Sequence, residues 1–208
     1  MTPAPAGAGS HPALRALVEI DAMQPQWAAY VAQTCQGDPP SAGMAQLYVE
    51  VAPANAVFAL VDAATKRADV RSALQVVERQ FGTLELHGTD PASVRAAADV
   101  IVERLRVSSN DAARPEVVTQ ETITRVGANQ AQLVNRLRSA NLLLENETMF
   151  LLELQPAAYI AAAANEAEKR SPVKLVYASM LGATGRLIVS GTDDTVAEGR
   201  AAALAAIG

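Results

Sequence analysis

A chain of 208 residues, half of them hydrophobic but only 4% aromatic, is long enough for two small domains whose cores use Ala, Val, Leu and Ile rather than large rings. The net charge of −5 and the lack of any Lys/Arg run exclude a dedicated nucleic-acid surface, which needs a basic stripe to release counterions. One cysteine, Cys35, excludes an intramolecular disulfide and a multi-cysteine metal cluster.

Residues 1–10 are rich in Pro, Ala and Gly and read as a flexible tail without the basic flank and apolar core of a signal peptide. No apolar run approaches the roughly 20 residues of a membrane helix. A soluble, cytoplasmic protein with no membrane partner is expected. Over residues 14–22, Leu14, Ala16, Val18, Ile20 and Ala22 alternate with Arg15, Glu19 and Asp21, the period of a half-buried strand that Pro25 ends. Trp27, Tyr30, Val31 and Thr34 then have helical spacing, and Gly37, Pro39, Pro40 and Gly43 impose a loop.

Leu47, Val49 and Val51 alternate with Tyr48, Glu50 and Ala52 in a strand that stops at Pro53. Pro53 is expected to open the next helix, because its missing N–H is not needed in the first turn. Val57, Phe58, Leu60, Val61 and Ala64 form that helix's apolar face, and Lys66, Arg67 and Asp69 close it. Residues 70–77 and 83–87 are strands flanking the loop Glu78, Arg79, Gln80, Phe81 and Gly82. Thr89-Asp90-Pro91 supplies a turn, an N-cap and a first-turn proline for a helix over 92–105.

The stretch from Leu47 to Asp90 then returns from Phe150 to Asp193 at a constant, ungapped offset of 103 residues (Glu50 to Glu153, 153 − 50). Pro53, Lys66, Gly82, Leu84 and Gly88 recur as Pro156, Lys169, Gly185, Leu187 and Gly191. Two copies of one domain are the simplest account: 11–105 and 117–208, joined by a polar linker over 106–116. The second copy predicts a strand over 118–126, a helix over 129–139, a strand over 150–154, a helix over 157–170, strands over 173–180 and 186–190, and a helix over 195–207. A βαββα unit usually wants a further strand, and nothing follows to supply one. The completing strands are therefore the upstream ones, 14–22 and 118–126.

The helix endings Asp62-Ala-Ala-Thr-Lys66-Arg-Ala-Asp-Val70 and Asn165-Glu-Ala-Glu-Lys169-Arg-Ser-Pro-Val173, set between a strand carrying Glu and paired strands around a small-residue loop, resemble the bacterial microcompartment shell-protein (BMC) domain. With each completing strand placed before its core, the chain resembles the circularly permuted tandem class, and its alanine richness is similar to the version of the Rhodococcus and Mycobacterium compartment. The resemblance implies an α/β (α+β) fold of two tandem, circularly permuted ferredoxin-like BMC domains. It also implies a homotrimeric pseudohexamer tiling edge to edge with other shell proteins, with stacking of two trimers a further arrangement it leaves open.

The same resemblance places Lys66 and Lys169 at the tile edge, helped by an arginine for which Arg125 stands in the second copy and Met23 and Gln24 in the first. A solvated helix-end lysine is the plainer reading. It also places Glu78, Arg79, Gln80, Phe81, Gly82, Leu181, Gly182, Ala183, Thr184 and Gly185 around a central pore for small polar metabolites. Glu78 and Arg79 resemble a gate, closed by bonds between subunits, against the alternative of an ordinary exposed ion pair. Gly182 and Gly185 are expected to let backbone approach the axis without a Cβ clash.

No catalytic residue, cofactor or metal site is expected: His11 and His87 sit in no cluster, and Glu50 and Glu153 alternate with apolar neighbours as polar-face or packing residues. The rival reading is a tandem ferredoxin-like small-molecule-binding regulatory module, since fold alone does not decide function.

Overall fold

The computed structural model describes residues 12–138 and 140–208, so the tail and His11 lie outside the described residues. Two four-stranded antiparallel sheets account for both copies. The first holds β1 (Ala13–Ile20), β2 (Ala45–Ala52), β3 (Arg71–Glu78) and β4 (Phe81–Gly88) in the order β1-β2-β4-β3. The second holds β5 (Glu116–Ile123), β6 (Thr148–Gln155), β7 (Lys174–Ser179) and β8 (Gly185–Gly191) in the order β5-β6-β8-β7. In each, the upstream strand pairs antiparallel with the first core strand, as Val18 does with Tyr48 and Thr122 with Phe150.

Helices α1 (Pro25–Thr34), α2 (Ala56–Arg67) and α3 (Pro91–Leu105) belong to the first copy, and α4 (Ala128–Asn135), α5 (Ile160–Arg170) and α6 (Asp193–Ala205) to the second. On the first sheet the alternating side chains separate cleanly. Leu47, Val49 and Val51 join Leu84 and Leu86 beneath α2 and α3. Gln46 and Tyr48 face the other way, toward Trp27 of α1, whose indole Nε1 donates to the Gln46 side chain at 2.7 Å. Gln46 donates in turn to Glu85 at 2.9 Å, and Glu85 accepts the Ala73 N–H at 2.8 Å. Buried polar groups are tolerable when paired in this way.

Several expected boundaries shift for local reasons. Pro53 does not open the helix: α2 starts at Ala56 after a turn in which the Ala56 N–H bonds the Pro53 carbonyl. In the second copy that turn is a short 3-10 segment, Ala157–Tyr159, ahead of α5. Pro25, expected only to end a strand, is the first residue of α1, where an N–H is dispensable. Asp90 caps α3 as expected, accepting the Ala92 N–H at 2.9 Å. The linker contains a 3-10 turn, Ser109–Asp111, with a reciprocal capping box from Ser108. Helix α4 stops at Asn135, whose side chain bonds both backbone groups of Leu143 instead of continuing a helix.

The two copies share a core. Ala16, Val18, Met23, Trp27 and Tyr30 of the first copy lie in one buried cluster with Phe150, Leu152, Ala158, Ala161 and Ala164 of the second. Polar bonds cross the same junction: Asn165 accepts the Gln24 N–H at 2.8 Å, and the Glu168 carboxylate accepts the N–H groups of Gln26 and Trp27 at 2.7 and 2.8 Å. Glu168 thus satisfies orphan donors at the start of α1, where negative charge is favoured.

Candidate functional site

The hairpins β3–β4 and β7–β8 have the same length but close differently. In the first, pairing continues to Glu78 opposite Phe81, leaving Arg79 and Gln80 as a two-residue turn. In the second, pairing stops at Ser179 opposite Arg186, so residues 180–184 form a five-residue loop. Arg79 takes a positive φ of 55°, unfavourable for a side-chain-bearing residue, whereas the turn of the second loop falls on Gly182 at φ 91°.

The hairpin tips meet although about 100 residues separate them. Glu78, Arg79, Gln80 and Phe81 line a small cleft of about 140 Å³ together with Gly182 and Ala183, and a Cβ on Gly182 would lie 3.8 Å from Cγ of Glu78. Thr83 donates to the Met180 carbonyl across the same seam at 3.4 Å. Arg79 is almost fully exposed, its Nε 3.9 Å from a Glu78 carboxylate oxygen, a loose pair that contributes little by itself and leaves both groups free to re-pair.

Beneath the tips the first hairpin is anchored. The Arg15 guanidinium sits 3.9 Å over the Phe81 ring, and Arg15 Nε donates to Glu50 at 2.6 Å. The second oxygen of the fully buried Glu50 accepts the Ala158 N–H of the other copy at 3.1 Å. In the second copy Val118 stands where Arg15 does, and Glu153 instead accepts from Thr184 at 2.6 Å and Arg186 at 3.4 Å.

Gly82 and Gly185 are both buried, and a close neighbour leaves no room for a side chain at Gly185. A Cβ there would come within 2.5 Å of the Ala157 carbonyl, and one on Gly82 within 2.2 Å of the Ala54 carbonyl. Both glycines admit the turn preceding the first core helix. Leu181, Gly182 and Thr184 are partly exposed and Ala183 is exposed, and these join Glu78, Arg79, Gln80 and Phe81 at the accessible tips.

Lys66 and Lys169 both lie exposed in the last turn of their helices. Lys66 pairs with Asp62 at 2.7 Å and Lys169 with Glu166 at 2.9 Å, so each is held by its own helix and favoured there by the macrodipole. Lys169 also lines a cleft of about 470 Å³ with Glu19, Asp21, Asn165 and Glu166, where β1 meets α5. Burial pushes the Glu19 carboxyl upward, Asp99 and Asp21 add to the shift, and Arg95 opposes it. Arg125 is exposed at φ 49°, Met23 is buried, and Gln24 contributes its backbone N–H to Asn165.

Residues 14–111 match the family described as the CsoS1D N-terminal domain. The carboxysome shell protein CcmP of Synechococcus elongatus is 37% identical over 194 residues, covering 93% of this chain and 91% of that protein. The carboxysome shell protein CsoS1D of Hydrogenovibrio crunogenus is 40% identical over 191 residues, covering 91% of this chain and 93% of that protein. Among solved structures, the fused permuted hexameric shell protein MSM0275 from the RMM microcompartment superposes with a TM-score of 0.91 at 40% identity, covering 94% of this chain and 96% of that one. The chain belongs to the tandem BMC shell proteins of bacterial microcompartments.

Sequence reasoning on this shell protein missed Arg15, read only as one of a strand's outward charges, and Asn165 and Glu168, read only as part of a helix ending. A signal for the last two was present: polar residues on an alanine-rich helix at positions where the first copy has Asp62 and Thr65. His87 is buried, its Nδ1 3.3 Å from Glu85, and Cys35 bonds the Ala32 carbonyl at 3.1 Å. Among the described residues no group of three or more His, Cys, Asp or Glu is placed to hold a metal ion, and no helix is long and apolar enough to cross a membrane.

Proposed function

We propose that this protein is a structural tile of a bacterial microcompartment shell, a homotrimer with pseudo-sixfold symmetry whose centre is a pore for small polar metabolites. The compartment is of the kind that supplied the RMM shell proteins, and tiles meet other shell proteins edge to edge. The observation that carries the reading is the meeting of the hairpin tips. Once three chains assemble, a seam that already joins Glu78 and Arg79 to Gly182 and Ala183 supplies six alternating loops to one axis.

Three Glu78 and three Arg79 then stand close to that axis, and like charges crowded at a constriction repel unless each is paired. Re-pairing Arg79 from its loose 3.9 Å contact to Glu78 of a neighbouring chain closes the opening, and turning both outward opens it. Phe81, Leu181 and Thr184 line the approach, and the small Gly182 and Ala183 keep alternate sectors narrow and uncharged. At the tile edge Lys66 and Lys169, with Arg125 beside them, bond the adjacent tile, each exchanging the carboxylate of its own helix for a partner across the seam. The role is structural and permissive rather than catalytic. A structure of the assembled trimer tests the pore: Glu78 and Arg79 turned away from the axis in every copy would overturn it.

A further inference from the structure

The first copy buries a polar chain that the second lacks. Trp27 donates to Gln46, Gln46 donates to Glu85, and the Nδ1 of His87 lies 3.3 Å from both oxygens of Glu85. Gln46 and Glu85 are 0% exposed and His87 2%. At the offset of 103 residues Gln46 and Glu85 become Met149 and Ile188, which sit in an apolar cluster, so the domain closes without the buried carboxylate. Such a group costs stability even when it is paired, and here it fixes an imidazole.

His87 lines a cleft of about 280 Å³ together with Asp38, Met44, Asp69, Arg71 and Thr89. The cleft lies at the other end of the β3–β4 hairpin from the tips, for Arg71 stands opposite His87 as Glu78 stands opposite Phe81. Glu85 accepts the Gln46 amide and the Ala73 N–H, and as an acceptor toward His87 it holds the ring proton on Nδ1, leaving Nε2 with a free lone pair. Among the described residues Nε2 has no hydrogen-bond partner, and no buried side-chain nitrogen or oxygen lacks one. Nε2 therefore opens into the cleft. The Asp69 carboxylate also makes no hydrogen bond or ion pair among these residues, whereas Asp38 is neutralised by Arg71 at 2.7 Å. The charge left over in the cleft is negative.

In the second copy the same place is satisfied from within. Glu147, at the position of Met44, takes Lys174 at 2.6 Å and the Ser190 hydroxyl at 3.3 Å, the counterparts of Arg71 and His87. With Met44 in place of Glu147, His87 has no such partner in its own chain. We infer that the cleft of the first copy binds the ammonium head of a small aliphatic amine, which donates one N–H to His87 Nε2 and another to Asp69. The partly buried Met44 offers an apolar wall for the stem. At about 30 Å³ each, about nine non-hydrogen atoms fill the space. The site needs neither the pore nor the trimer.

Ring-nitrogen NMR on the histidine-labelled full-length protein tests this at about pH 8, above the ordinary imidazole range. Butylammonium is expected to shift the His87 Nε2 resonance saturably, while His11, the second histidine of the sequence, does not move. Tetramethylammonium, which has the charge but no N–H to donate, and acetate are expected to leave both unmoved. Asp69 is exposed, so Asp69→Asn is expected to fold normally and to weaken butylammonium binding at least about tenfold, the scale of one hydrogen bond to a charged group. A His87 signal that stays fixed under butylammonium, follows acetate instead, or responds equally in Asp69→Asn overturns the inference.

Discussion

Arg15 holds Phe81 from above: its guanidinium lies 3.9 Å over the ring, while its Nε bonds the fully buried Glu50 at 2.6 Å. One side chain thus ties the base of the charged β3–β4 hairpin to the junction between the copies, because Glu50 also accepts the Ala158 N–H. Arg15→Ala leaves the Glu50 charge buried without its cation, and a loss of about 3 kcal/mol in urea unfolding is expected. Glu50→Gln keeps an acceptor for Ala158 and is expected to cost less. Equal losses for the two variants would contradict the pairing argument.

The two repeated glycines separate packing from pore geometry. Gly82→Ala and Gly185→Ala drive a Cβ into the Ala54 and Ala157 carbonyls, at 2.2 and 2.5 Å, and are expected to lower stability by about 3 kcal/mol or more. Gly182→Ala meets only Glu78 at 3.8 Å and the strain of φ 91°, for about 1 kcal/mol. Thermal melts rank the three. Gly182→Ala as the most damaging variant would refute the assignment of Gly82 and Gly185 to packing.

Duplication, the order of strands and helices, and the upstream position of the completing strands were all legible, because an ungapped offset shows on comparing the two stretches directly and period-two alternation depends on residues near in sequence. The contents of the junction were not. Glu168 capping α1 and Glu50 reaching Ala158 are contacts over more than 100 residues, and periodicity carries no trace of them. The packing constraint on Gly185 was not legible, because a loop glycine resembles any other until the Ala157 carbonyl beside it is located. Strand β5 was recognised as a strand, yet every one of its residues is exposed, which its local pattern does not encode. The hairpin tips were assigned to the pore region by resemblance; their meeting within one chain is a property of the fold.

Acid is expected to loosen the second copy through Glu147. Burial alone would raise this carboxyl, but hydrogen bonds from Lys174, the Leu144 N–H and Ser190, with the Lys174 charge, hold it below the ordinary carboxylate value. A carboxyl depressed in the folded state contributes stability that is fully present above its unfolded value and is lost as pH falls through its folded value. Glu147→Gln is therefore expected to be less stable than wild type at pH 7 and to lose less on acidification to pH values below the ordinary carboxylate range. Parallel stability curves for the two proteins across that range would contradict this.

Charge at the hairpin tips gives a test of the proposed pore. Arg79→Ala and Glu78→Gln alter residues at the exposed tips and are expected to leave stability within about 0.5 kcal/mol of wild type and assembly intact. In closed shells rebuilt from these variants, passage of a charged small solute is expected to change while passage of a neutral one of equal size does not. Equal changes for both solutes would contradict a charge-lined opening.

Electron microscopy of the purified protein tests the central claim most directly. Wild type is expected to form flat sheets of trimers with a central opening, and the double variant Lys66→Asp, Lys169→Asp to keep the trimer and lose the sheets. Wild type that remains a small oligomer under all sheet-forming conditions, or a double variant that still forms sheets, would contradict the account.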